Sequence, residues 1–171
     1  SRLISLHDNT LRMGNPELSP TRSMNFDAGI ERYFDSIGLL SAGAFYKKID
    51  GFIFAYTRRN VVDPTTGRTF NSIERPENGS DAWLGGFELA AHRQLDFLPG
   101  FLRGLGLYAN YTYTDSRIDG LPIEGREGEK LPLPGTSKHT GNVSLSYDLA
   151  RLNLRASVNF ASSFIDPGEV G

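Results

Sequence analysis

Leu105-Gly106-Leu107-Tyr108-Ala109-Asn110-Tyr111-Thr112-Tyr113-Thr114-Asp115-Ser116 decides the fold. Leu107, Ala109, Tyr111 and Tyr113 fall on one side, and Tyr108, Asn110, Thr112 and Thr114 on the other. An apolar side opposite a small polar side, at period two, is the pattern of a half-buried β-strand. The same alternation recurs at about 22–34, 39–54, 83–93, 138–149 and 152–164. In the first of these, Met24, Phe26, Ala28 and Ile30 oppose Asn25, Asp27, Gly29 and Glu31. In the last, Leu154, Ala156, Val158 and Phe160 oppose Asn153, Arg155, Ser157 and Asn159. Each of these strands is about 10 residues or longer. Soluble strands average about 5–6 residues, and a tilted strand needs about 9–11 to cross a bilayer.

Residues 1–21 carry Gly14-Asn15-Pro16 and Pro20 and are expected to be loop. The connections between strands then alternate in length. Residues 35–38 and 150–151 are turns, and 94–104 is of medium length with Leu98-Pro99-Gly100-Phe101. Residues 55–82 and 117–137 are long, polar and charged. In an up-and-down antiparallel meander every second connection lies at the same end, so both long segments share one end. Long loops at one end and short turns at the other mark an outer-membrane barrel. Tyr46, Trp83, Tyr111, Tyr113 and Tyr147 lie towards strand ends on the apolar sides, as residues of a membrane interface do. The fold class is therefore all-β, an antiparallel up-and-down meander of about six long strands. A soluble carbohydrate-binding β-domain, sandwich or lipocalin-like, also alternates. It would bury its apolar faces against each other.

Composition fits this class. The chain has 171 residues, 19 glycines, 11 phenylalanines, 7 tyrosines and no cysteine, with a net charge of −2. The absence of cysteine excludes a disulfide scaffold and a thiolate zinc site. Near-neutral charge argues against a protein that neutralises many phosphates, so no nucleic-acid partner is expected. A slightly negative mean hydropathy does not conflict with a membrane barrel, because only alternate strand residues meet lipid. No apolar run reaches the ~18 residues of a membrane-spanning helix, and no basic-then-apolar leader opens the chain. Both termini read as cuts through a longer protein.

Several segments in order resemble one known family. Gly14-Asn15-Pro16-Glu17-Leu18-Ser19-Pro20 resembles the Gly-Asn-Pro-x-Leu-Lys-Pro segment of TonB-dependent outer-membrane receptors, with Ser19 where lysine is usual. Ala28-Gly29-Ile30-Glu31-Arg32-Tyr33-Phe34, Ala44-Phe45-Tyr46-Lys47-Lys48-Ile49-Asp50-Gly51-Phe52-Ile53 and Gly86-Phe87-Glu88-Leu89 follow. Then come Ala109 to Ser116 and Leu133-Pro134-Gly135-Thr136-Ser137-Lys138-His139-Thr140-Gly141-Asn142. The resemblance implies that residues 1–171 are part of the later half of a 22-stranded transmembrane β-barrel. The plug domain, the TonB-binding segment and the final strands would lie outside them. It further implies a Gram-negative outer-membrane receptor that imports a scarce nutrient with TonB-supplied energy. Iron-siderophore complexes are the commonest ligands. The Leu-Pro-Gly-x-Ser-Lys-His segment looks like a subgroup tied to carbohydrate uptake, which makes an oligosaccharide the alternative ligand. Lipid, the plug and TonB are the other implied partners.

No catalytic or cofactor site is legible. His7, His92 and His139 sit on separate elements without metal-ligand spacing. Glu88 and His92 share a strand side about 13 Å apart, too far to share a metal. An outer-membrane barrel enzyme would need a Ser/His/Asp or paired-carboxylate cluster at the rim, and none is evident. Asp27 and Glu31 suit the polar lumen of a barrel. The candidate ligand contacts are Arg58, Arg59, Arg68 and Arg75 in the first long segment, where guanidinium groups suit an anionic ligand. Asp63, Glu74, Glu77 and Asp81 balance their charge.

Overall fold

The computed structural model describes residues 2–5, 9–34, 38–79, 81–119, 130–149 and 152–165. The strands are β1 (Arg2–Ser5), β2 (Thr10–Met13), β3 (Arg22–Tyr33), β4 (Gly38–Asp50), β5 (Ile53–Val62) and β6 (Thr69–Asn78). They continue with β7 (Ala82–Gln94), β8 (Leu105–Asp119), β9 (Lys130–Leu131), β10 (His139–Leu149) and β11 (Leu152–Ala161). A 3₁₀ turn, Gly100–Gly104, lies between β7 and β8. The main sheet runs β3-β4-β7-β8-β10-β11, every neighbouring pair antiparallel, with β9 added beside β8. It is the six-strand meander that the alternation requires. The expected turns at 35–38 and 150–151 fall largely outside the described residues, as does much of the segment 117–137.

Two continuous rungs fix the faces. Ile30, Ala42, Leu89, Tyr111, Gly141 and Phe160 pair in succession across all six strands. The adjacent rung is Glu31, Ser41, Ala90, Asn110, Asn142 and Asn159. Side chains of directly paired residues share a face, so the first rung marks an apolar face and the second a polar one. Ile30, Leu89, Val143, Leu154 and Val158 of the apolar face are all exposed, Ile30 to 73%. Among the described residues nothing covers this face. The buried clusters lie elsewhere. One joins Ala82, Ile118 and Leu133 with Phe52 and Phe54, and the other joins Leu11, Phe70 and Ile73 with Met13 and Val61.

Charge sets the height of the apolar face. Arg22 and Arg32 are both on it, at opposite ends of β3, and only Met24, Phe26, Ala28 and Ile30 stand between them on that side. Ten residues span about 33 Å along a strand, or about 25 Å at a tilt of ~40°, which is the height of the apolar band of an outer-membrane barrel. Towards the long-connection end this face carries a ring ladder. Tyr46 stacks with Trp83 at 6.3 Å, Phe87 with Tyr113 at 5.4 Å, and Tyr111 with Phe160 at 6.4 Å. Such rings belong at a lipid–water boundary. Leu89→Arg is expected to destabilise the full-length barrel in lipid by about 2–4 kcal/mol, the cost of an arginine near the bilayer midplane. Thr112→Arg, on the polar face, is expected to cost under about 1 kcal/mol. Urea unfolding in vesicles reads the difference, and equal costs would contradict the assignment of faces.

The segment 55–82, read as an open loop, is mostly strand. β5 and β6 form an antiparallel hairpin whose register has the same offset as β4 against β7. Ile49 pairs with Ala82, and Ile53 pairs with Asn78. The two ladders are thus one long hairpin, interrupted between them at Gly51, where φ is +67°, and again near the tip at Asn60, where φ is +54°. Its tip is closed by Asp63, which is buried. The Asp63 carboxylate accepts from the Thr65 N–H at 3.1 Å and the Thr66 hydroxyl at 2.6 Å, and Gly67 takes φ +69°. An aspartate and a glycine in these places are turn chemistry. Residues 1–21 likewise differ from the expected loop. They contain β1 and β2, and β2 pairs in parallel with β6, giving the order β1-β2-β6-β5. This second sheet extends the ribbon beyond the main sheet. The pairings stay within each sheet, so the meander keeps its up-and-down order.

Candidate ligand-binding end

The β5–β6 hairpin, the β1–β2 hairpin and the connection from β8 to β10 stand at one end of the meander. Within the hairpin, strand alternation sorts the candidate arginines. Tyr56 pairs with Arg75 and Arg58 pairs with Ile73, which puts Arg58, Arg75 and Tyr56 on one face. Arg59 pairs with Ser72 on the other face. Arg68 lies at the tip, its guanidinium 5.8 Å from the centre of the Phe70 ring. The four therefore do not converge. Only Arg58 and Arg75 share a face, with Tyr56 paired directly to Arg75. The Arg58 guanidinium lies 5.2 Å from the Tyr56 ring centre. Arg75 is half-buried and lies 3.8 Å from the Glu17 carboxylate and 4.0 Å from that of Glu77. Exposed pairs at these distances are weak and exchangeable. Two guanidiniums beside a phenol ring are able to take an anionic aromatic or carboxylate group.

The root of the hairpin is held by the Gly14–Pro20 segment. The Asn15 amide donates to the Pro76 carbonyl at 3.1 Å. The Asn78 side chain accepts from the Ser19 N–H at 2.8 Å and donates to the Ser19 carbonyl at 3.0 Å. The same amide lies 3.1 Å from the Gly51 carbonyl, at the kink. Arg12 and Glu74 form an ion pair at 2.7 Å across the β2–β6 seam, and Thr10 and Ser72 share a hydrogen bond at 2.7 Å. Asn15 stands in the Gly-Asn-Pro motif and Asn78 before a glycine, but the sequence assigns neither a latching role. The proline–glycine punctuation around them signals only a bend, and their partners lie about 60 residues away.

The polar face is lined by Asp27, Glu31 and Glu88 towards β3 and by Arg155 towards β11. An open depression of about 820 Å³ lies on it between Glu31, Ser41, Glu88 and Thr112. Among the described residues no group of three His, Asp or Glu side chains could hold a metal ion. His92 stands edge-on to Tyr108 on the polar face. His139 lies on the apolar face, its Nδ1 2.7 Å from the Tyr111 hydroxyl. His7 lies outside the described residues.

The family described as TonB dependent receptor-like, beta-barrel, matches residues 4–170. The chain belongs to this family. Solved structures of two receptors resemble it in fold. The siderophore receptor PirA from Acinetobacter baumannii has a TM-score of 0.54 and 23% identity over 86% of this chain. The ferric enterobactin receptor PfeA from Pseudomonas aeruginosa has a TM-score of 0.57 and 21% identity over 88% of it. In each case the match covers 20% of the other chain, so the present chain spans about a fifth of those receptors. No curated protein matches it. Within a TonB-dependent barrel, the uncovered apolar face of β3 to β11 is the lipid side and the Glu31–Asn159 rung is the lumen side.

Proposed function

We propose that the full-length protein is a Gram-negative outer-membrane receptor that binds a ferric siderophore and imports it with energy delivered through TonB. Membership of the TonB-dependent family carries this reading. The end bearing the β5–β6 hairpin faces the outside, and Arg58, Arg75 and Tyr56 contact an anionic chelate there. Rigid strands carrying long projecting segments are where binding groups concentrate. Arg59 and Arg68 lie off this face and contribute through the general field of the loop. The polar lumen face, with Asp27, Glu31 and Glu88, contacts the plug. The reaction is transport, without covalent chemistry.

The test is uptake of radiolabelled ferric siderophores by iron-starved cells whose own receptors are deleted and which express the full-length protein. Uptake is expected with TonB present and absent without it. Arg58→Gln with Arg75→Gln is expected to weaken binding by about 100-fold or more, since hydrogen bonds to charged groups are worth ~1.5–3 kcal/mol each. Equal uptake without TonB contradicts the energy coupling. TonB-dependent uptake of a labelled oligosaccharide, with no iron accumulated, replaces the substrate class.

A further inference from the structure

At the end opposite the hairpin, on the apolar face, two arginines share one aromatic ring. The Phe34 N–H donates to the Gly38 carbonyl at 3.1 Å, so Phe34 adds a rung beyond β3. Gly38 pairs with Arg93, which pairs with Leu107. The missing side chain at Gly38 makes room for its neighbours. A Cβ there would lie 3.2 Å from the Phe34 ring and 3.4 Å from Arg93 Cγ. The Arg93 guanidinium is 4.6 Å from the Phe34 ring centre and 4.8 Å from that of Phe97. Arg32, one outward position before Phe34 on the chain, lies 5.5 Å over the same Phe34 ring.

These two cations meet no carboxylate partner among the described residues, although carboxylates partner Arg12, Lys48, Arg75 and Arg117. The Arg93 Nε is shut off from solvent and has no hydrogen-bond partner. Asp96, in the same connection, is exposed and pairs with neither. The rings fix the two guanidiniums by cation–π contact without neutralising them. Like charges gathered around one ring at the margin of an apolar band attract a counter-anion. The site continues directly into the apolar face, and the same connection exposes Phe97 to 62% and Phe101 to 68%. A free phosphate ion gains nothing from such surroundings. A headgroup whose acyl chains run along the band uses both features.

We propose that Arg32 and Arg93 clamp the phosphodiester of an anionic phospholipid of the inner leaflet of the outer membrane. This rests on the apolar face being the lipid side and on the proposed outward placement of the hairpin end. Planar guanidiniums match phosphate oxygens in pairs, and basic side chains at a bilayer surface favour anionic headgroups.

Native mass spectrometry of the full-length receptor in non-ionic detergent tests it. Phosphatidylglycerol and phosphatidylcholine with identical chains are titrated in, with and without millimolar inorganic phosphate. Arg32→Gln and Arg93→Gln are each expected to weaken phosphatidylglycerol binding about fivefold, and the pair about 30-fold, with phosphatidylcholine unaffected. Arg93→Lys, which keeps the charge, is expected to retain most of the preference. Heat-dependent gel mobility confirms that each variant is a folded barrel. Wild-type preference in the double variant, or full displacement of the lipid by inorganic phosphate, overturns the clamp. Loss of the preference in Arg155→Gln, on the lumen side, with Arg32→Gln and Arg93→Gln unaffected, places the failure in the assignment of faces instead.

Discussion

Gly86→Ala is expected to prevent the full-length barrel from assembling, or to cost it more than about 4 kcal/mol, where most substitutions cost 0.5–3. A Cβ at Gly86 would stand 1.8 Å from the Tyr113 carbonyl oxygen and 2.9 Å from the end of the Phe45 ring. The ring is able to turn aside. The carbonyl is not, because β8 is paired with β7 on one side and β10 on the other. Moving Tyr113 would break ladder hydrogen bonds on both. The neighbouring glycines supply the comparison. At Gly85 a Cβ would meet the Phe45 carbonyl and the Tyr46 ring at 3.3 Å, and at Gly43 only the Ala28 carbonyl at 3.6 Å. Gly85→Ala is expected to cost about 1–2 kcal/mol and Gly43→Ala less than that. Heat-dependent gel mobility and urea unfolding in micelles rank the three. A Gly86→Ala barrel as stable as Gly43→Ala would mean that β7 and β8 are spaced differently here.

The ease of reading each part of the chain follows its surroundings. β3, β4, β7, β8, β10 and β11 lie between an apolar and a polar medium, so every second residue is constrained and the period shows in the sequence. A slip of one residue would carry Glu31 and Glu88 to the apolar face and Ile30 and Leu89 to the polar one. The β5–β6 hairpin does not lie between an apolar and a polar medium, and its buried and half-buried residues, Phe70, Ile73 and Phe54, do not fall at period two on one face. Its pattern is broken by Arg58-Arg59-Asn60 and by Pro76, so no period announces it. Asp63-Pro64 and Gly67 are turn residues, but inside one long polar segment they do not announce strands on either side. The parallel β2–β6 seam joins Leu11 to Ile73, and nothing local encodes so distant a pairing. The arginines illustrate the same limit. Charge and loop position identified four candidates, but only register shows that Arg58 and Arg75 share a face with Tyr56 while Arg59 does not.

Excising residues 53–78 and joining Phe52 to Gly79 through Asn-Gly is expected to leave a folded barrel that no longer imports its ligand. The register makes the cut possible. The ladders on either side of the kink share one offset, and the Gly79 N–H already donates to the Phe52 carbonyl at 2.6 Å. A two-residue Asn-Gly turn closes such a pair of strands with the right twist. Every rung from Lys48–Trp83 to Gly38–Arg93 remains. The loss to the main sheet is chiefly Phe54 from the cluster at Ala82, Ile118 and Leu133, about 1.5–3 kcal/mol, while the cluster of Leu11, Phe70 and Ile73 and the Asn15 and Ser19 latches go with the second sheet. The loss to binding is larger, because Tyr56, Arg58 and Arg75 go together with the sheet that presents them. Removing two charge-assisted contacts alone corresponds to about 100-fold or more in affinity. Deleting 97–101 at the opposite end should act in reverse. It removes the backbone bond from Leu98 to Leu95 and the apolar turn leading into β8, so assembly fails before uptake is measurable. Cell-surface labelling reads insertion, and radiolabelled uptake reads transport. An excised barrel that inserts and still imports at the wild-type rate would place ligand recognition on other loops. One that fails to insert would make the hairpin a folding element, because the main sheet would then depend on the ribbon that extends it.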